Sequence, residues 1–247
     1  MKKIIALILV LCFGLCGCTP EFFEQESAPT PPTDGKKVVF LDAGHGFGDP
    51  GCLSEYMHGT EAEVTIDMVK SLREKLETAG VEVILTHDGE SHPTCSEIIA
   101  LCNETQTQYR ADLMVEDTVF SAYERGIYVL ALSKQTEIDM FVSVHINSFS
   151  ENVEIDRCEL YYCEDNIYEE YINGFCKSFS ESITEKTKIE SLDYDDAYIV
   201  TKYGEYPSVL VEAAYASCTV GADKINSAEW RDNFCQKLAE AIINHVG

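Results

Sequence analysis

Val38-Val-Phe-Leu-Asp-Ala-Gly-His-Gly-Phe-Gly-Asp-Pro-Gly51 is the stretch on which the reading of this chain turns. Val38 to Leu41 is an apolar, β-branched run with the length of a buried strand. It empties into a loop that carries Gly44, Gly46, Gly48 and Gly51, with His45 among them. A strand that ends in a glycine-rich loop places its last side chains at the carboxyl edge of a sheet, where α/β proteins bind ligands. Glycines on both sides let the backbone pass close to whatever His45 holds. Taken alone, the stretch reads equally well as a glycine turn with an incidental histidine.

The segments that follow weigh against the bland alternative. Thr60 is placed to cap a helix, and Glu63 lies three residues on, as in a capping box. Val64, Met68, Val69, Leu72 and Leu76 then recur at helical spacing, and Gly80 can end the helix. Val81 to Thr86 is the next strand. The unit is therefore strand, helix, strand, and such a crossover makes the two strands parallel. Glu61 sits in the first helical turn, where acids commonly serve the helix dipole. The start of a crossover helix also lies near the end of the preceding strand, so Glu61 can approach His45. Met140-Phe-Val-Ser-Val-His-Ile-Asn147 is a second buried strand, and it too delivers a histidine, His145, at its carboxyl end. Two strand-end histidines and a helix-start glutamate are a zinc ligand set with one position left open. His58, Glu55 and Glu63 are nearby competitors. A third run, Tyr206-Pro-Ser-Val-Leu-Val-Glu212, ends in a charge poorly explained as a surface group. A carboxylate there, beside a cation, can act as general base.

The remaining segments are assigned as follows. His87 to about Thr118 is the least legible, with a short helical piece over Ser96 to Leu101. A helix carrying Arg125 follows over Val119 to Lys134. Cys158 to Tyr162 reads as a strand, Ile167 to about Thr187 as a helix, Ala197 to Lys202 as a short strand, and Ala228 to about His245 as the closing helix. From residue 36 to 247 there is no second linker and no repeat, and roughly 210 residues suffice for a single α/β domain.

Ahead of that domain, Lys2 and Lys3 precede the apolar run Ile4 to Leu15, which is too short to span a bilayer. Leu15-Cys-Gly-Cys18 resembles a bacterial lipobox. The resemblance implies a signal peptide over 1–17, cleavage before Cys18 and a lipid anchor on its sulfur. Residues 18–35, rich in proline and acids, read as a disordered tether. A formal net charge of -25 makes nucleic acid a poor partner. Of eleven cysteines, eight remain in the domain and none forms a CxxC pair, which disfavours a structural zinc knuckle.

In combination these motifs resemble the zinc-dependent N-acetylmuramoyl-L-alanine amidases of the amidase 3 type. Asp42-Ala-Gly-His45-Gly with Asp49-Pro-Gly51 is similar to that family's opening motif. Glu61 with Val64-Thr-Ile66, Arg125, Ser143-Val-His145-Ile-Asn147 and Pro207-Ser-Val-Leu-Val-Glu212 follow in the family's order. Thr86-His-Asp88 occupies a Thr-Arg-Asp position, and Cys218 stands where asparagine is common. The resemblance implies a mixed, mostly parallel sheet of about six strands with helices on both faces. It implies zinc on His45, Glu61 and His145, with Glu212 as the base. The implied substrate is peptidoglycan, cut between N-acetylmuramic acid and L-alanine by a monomer lipid-anchored in the cell envelope. The rival readings are a non-catalytic peptidoglycan-binding lipoprotein and a zinc carboxypeptidase-like peptidase. The segment 88–118 is longer than the family needs. It leaves the rim that holds His45 and His145, so it is expected to line or cover the groove, with Cys95 and Cys102 as a candidate disulfide.

Overall fold

A computed structural model describes residues 35–114, 119–149, 154–203 and 205–247. The signal segment, Cys18 and all of the tether but its last residue lie outside these. Six strands form one sheet: β1 (Val38–Ala43), β2 (Glu82–Leu85), β3 (Met140–Asn147), β4 (Arg157–Cys163), β5 (Lys186–Leu192) and β6 (Ser208–Tyr215). Their order across the sheet is β2-β1-β3-β6-β4-β5. The first four run parallel; β4 is antiparallel to β6, and β5 is parallel to β4. The sheet is thus mixed and mostly parallel, as expected.

Alternate residues of the central strands feed two cores. Leu41, Val142 and Val211 face α1 (Glu61–Thr78), α4 (Glu169–Ser182) and α6 (Ala228–Val246), among Met68, Phe175 and Leu238. Phe40, Phe141 and Leu210 face α2 (Cys95–Thr105) and α3 (Ala122–Leu132), among Ile98 and Ile127. Because both faces are covered, the central strands read as continuous apolar runs rather than as an alternation. The parallel arrangement brings the ends of β1, β3 and β6 to one rim, and the start of α1 reaches the same rim. Among the described residues, no helix is long and apolar enough to cross a membrane.

Several expectations need correction. The helix expected over Ile167 to Thr187 stops at Ser182, and Lys186–Leu192 is the edge strand β5. Its alternating Lys186, Lys188 and Glu190 suit an exposed edge but hide the strand signal. Ala197 to Lys202 is a run of turns, not a strand. Ala197 and Val200 are buried without ladder pairing, Val200 within the core on the α2 and α3 side, whereas Tyr198 is exposed. A short helix, α5 (Thr219–Asn226), was not expected. Cys95 and Cys102 occupy one helix seven residues apart, about 10 Å along its axis, beyond the reach of a disulfide. The eight domain cysteines form no disulfide among themselves.

Candidate metal centre

Beyond Ala43 the chain turns through a small antiparallel bridge between Gly46 and Asp49. That bridge sets the Asp49 carboxylate 2.7 Å from His45 Nδ1. The opposite ring nitrogen, Nε2, then faces Glu61 Oε1 at 3.2 Å. His45 holds a left-handed φ of 69°, which costs a residue with a side chain roughly 1–3 kcal/mol. Two glycines make the close approach feasible. A Cβ on Gly44 would lie 2.4 Å from the His145 ring, and one on Gly51 would lie 2.6 Å from Glu61 Oε2.

Glu61 is fixed from two directions. Thr60 and Glu63 form the expected capping box at the start of α1. Cys52 N donates to Glu61 Oε2 at 2.8 Å, and Ile146 N donates to Oε1 at 3.0 Å. Thr65 Oγ1, one turn further along α1, donates to Gly44 O at 2.7 Å and ties the helix start to the histidine loop. From the end of β3, His145 brings Nδ1 to 3.0 Å from the same Glu61 Oε1.

One ligand atom from each of His45, Glu61 and His145 lies within 4.8 Å of the others. Ligands about 2.0–2.2 Å from a tetrahedral zinc stand roughly 3.3 Å apart, so the 3.0 and 3.2 Å separations fit such an ion. The competitors are engaged elsewhere or turned away. Glu63 caps α1, and exposed His58 accepts no place in the cluster.

Electrostatics point to the same centre. Burial opposes ionisation of Glu61, yet the two histidines outweigh it and hold its carboxyl far below the usual range. Burial likewise opposes protonation of His45, but Glu61 and then Asp49 raise it to about 9. Glu212 lies inside β6, which runs on to Tyr215 rather than ending at the glutamate as expected, and is paired in register with His145. Burial, followed by the charges of Glu61 and Glu159, pushes Glu212 up to about 8. Its Oε2 is buried with no hydrogen-bond partner. All four residues line one cavity of about 410 Å³, together with Arg125 and Tyr198.

Arg125 is not offered to a ligand. Its Nε lies 2.8 Å from Asp42 Oδ1, off hydrogen-bond alignment, and NH1 donates to Phe120 O. Asp42 also accepts from Thr86 and Ser143 hydroxyls, which locks β1, β3, the end of β2 and α3 together beneath the site. Burial would raise the Asp42 carboxyl, but Arg125 and these hydroxyls hold it below the usual range.

Three features escaped the sequence reading. Asp49 was quoted in a motif but given no part in holding His45. Glu159, directly across from Glu212 in the antiparallel ladder, accepts from Tyr161, Arg157 and Asn147. It carried the same signal as Glu212, a charge inside an apolar strand. The turns of residues 193–203 form a strap that walls the cavity through Tyr198, Ile199 and Val200. None of the described residues of the 88–118 segment lines this cavity; α2 packs on α3 instead. Cys218 lies apart from the cavity, donating to Ile155 O at 3.3 Å.

Comparison with known proteins places the fold in a family. The chain is 24% identical to the N-acetylmuramoyl-L-alanine amidase LytC of Bacillus subtilis, across 99% of this chain but only 42% of LytC. It is also 24% identical to YqiI of the same organism, over 94% of this chain and 93% of YqiI. The crystal structure of an N-acetylmuramoyl-L-alanine amidase from Clostridium difficile 630 superposes with a TM-score of 0.63 at 17% identity, covering 85% of this chain and 96% of that one. Residues 39–244 match the Amidase_3 family, described as N-acetylmuramoyl-L-alanine amidase, and the chain belongs to that family.

Proposed function

We propose that this chain is a zinc-dependent hydrolase that cuts the amide between N-acetylmuramic acid and L-alanine in peptidoglycan. The observation that carries the reading is Glu212 Oε2, a buried oxygen without a partner in the cavity that holds the His45, Glu61 and His145 cluster. Zinc bound there would supply a Lewis acid, lowering the pKa of water in the site and polarising the amide carbonyl. His45, Glu61 and His145 hold the ion, and Asp49 fixes the orientation of His45. Glu212 takes the proton of the attacking water at Oε2 and passes it to the leaving amine of L-alanine. Its orphaned oxygen has no competing donor to displace.

The Glu212 carboxylate has no purpose in a module that only binds glycan. A carboxypeptidase needs a free cationic clamp, and Arg125 is committed to Asp42. Export and lipid attachment at Cys18 complete the proposal, placing the domain on a membrane surface within reach of the wall. The test is metal content beside turnover on muropeptides. Glu212→Gln is expected to keep zinc and lose 100-fold or more of kcat, on the order of a missing general base. His45→Ala is expected to lose both. Near-normal turnover in Glu212→Gln would overturn the assignment of the base.

A further inference from the structure

A second groove, of about 500 Å³, adjoins the catalytic cavity, and Ile199 lines both. Its walls come from the strap, from α3 and from the segment after α2. We propose that this groove is a saccharide subsite, holding the glycan chain on the muramoyl side of the bond that is cut. The proposal rests on the amidase reading of the neighbouring cavity.

The first argument is composition. The groove is lined by Tyr109, Leu113, Tyr194, Lys202 and Tyr203. Leu113 is 37% exposed and Tyr194 47%, while Tyr198 in the adjoining cavity is 39% exposed. Exposed apolar side chains grouped along one track mark a surface that something else covers. Exposed Tyr198, Tyr194 and Leu113, with half-buried Ile199 shared by the two walls, make such a track from the catalytic cavity into the groove. Aromatic rings offer flat faces to the C–H faces of pyranose rings, and tyrosine hydroxyls offer hydrogen bonds to sugar hydroxyls.

The second argument is charge. A stem peptide carries carboxylates and would call for free cations. Arg110 is bound to Asp112 at 2.5 Å. Lys202 lies over the Tyr194 ring, 4.9 Å from its centroid. The groove therefore suits a neutral, ring-shaped ligand better than a multiply charged peptide.

The third argument is that the groove is already formed. A Cβ on Gly126 of α3 would meet Ile199 O and Tyr203 Cε2 at 3.1 Å, so the glycine lets the strap lie directly on the helix. Tyr194 N donates to Asp165 Oδ2 at 3.1 Å, and Ser208 Oγ donates to Thr201 O at 3.1 Å. The platform does not need to close on its ligand, which limits the ordering cost of binding.

The experiment compares two muropeptide series on the zinc-loaded enzyme: one stem peptide with glycan from the disaccharide to the octasaccharide, and one disaccharide with stems of increasing length. The wild type is expected to show KM falling with glycan length. Tyr194→Ala with Leu113→Ser should raise KM for the octasaccharide about tenfold and leave disaccharide kinetics unchanged. Leu113→Ser alone, at a position 37% exposed, should show part of the same loss. A wild type indifferent to glycan length overturns the proposal. So does a variant whose loss follows stem length, which would make the groove a peptide site. If no substrate is hydrolysed, the amidase reading fails by itself. Sedimentation of peptide-free glycan strands with wild type and variant then decides the groove: loss of binding in the variant supports it, and equal binding overturns it.

Discussion

Asp49 is not one of the three grouped ligand candidates, yet its contact with Nδ1 sets which nitrogen of His45 faces Glu61. Asp49→Ala is expected to weaken zinc binding by about 10–100-fold, the usual effect of losing a partner behind a ligand. Asp49→Asn, which keeps an acceptor for Nδ1–H, should lose much less; chelator competition measures both. Equal losses would show that charge rather than orientation matters. Glu212 predicts a pH effect on the metal-free domain. Its folded pKa of about 8 lies above the ordinary value of about 4.3. The folded state therefore holds a proton that the unfolded chain releases. That contribution is complete below about pH 4.3 and is lost as pH rises through 8. His45, raised to about 9, acts in the same direction over a higher window. The Tm of metal-free protein should fall from pH 6 to 9, and Glu212→Gln should flatten the part below 8. An unchanged slope in Glu212→Gln would remove the buried acid as its cause.

At the scale of elements, α1 has the most direct hold on the site because its first residue, Glu61, is one of the proposed ligands. Thr60→Ala removes the side chain that accepts from Glu63 N. It should cost about 1 kcal/mol and also weaken zinc binding several-fold. Thr94→Ala removes the same capping box from α2, which contributes no ligand, and should lower stability alone. Thermal melts with and without zinc separate the two. The same contrast explains what was legible in the sequence. The strand leading into His45 and the strands carrying His145 and Glu212 could be read because each is buried on both faces and brings a candidate site residue to the rim. The capping box of α1 has a fixed spacing and could also be read. The edge strand β5 could not, since its alternation lies among charges that also suit a helix. The strap was mistaken for a strand because an apolar run gives the same signal whether its partner is a ladder or a helix surface. Asp49 and Glu159 act through contacts across sequence separations or turns that residue spacing does not encode.

Across the whole molecule, two cores flank the sheet, and stability depends on that packing rather than on cross-links. The melting temperature should therefore be the same with and without a thiol reductant; a marked drop would reveal a disulfide formed in solution. A domain of this length buries enough apolar surface to stand without staples. The Asp42–Arg125 pair joins both halves beneath the site, and both partners are buried. Arg125→Met should destabilise the domain by about 3–5 kcal/mol by leaving Asp42 uncompensated, as a denaturant midpoint would show.

The parallel pairing of the central strands also governs when the site comes into being. Val39 pairs with Met140, and Phe141 with Ser208, so each ladder joins segments far apart along the chain. Such contacts close late and slowly in folding. His45 emerges first from the ribosome, but its partner His145 follows a hundred residues later, and Glu212 only near the end. A nascent or truncated chain that stops before Ser208 lacks both Glu212 and the strand that holds His145 in register. On the proposed mechanism, incomplete chains would be inert, and hydrolytic capacity would arrive only with the last strand of the sheet.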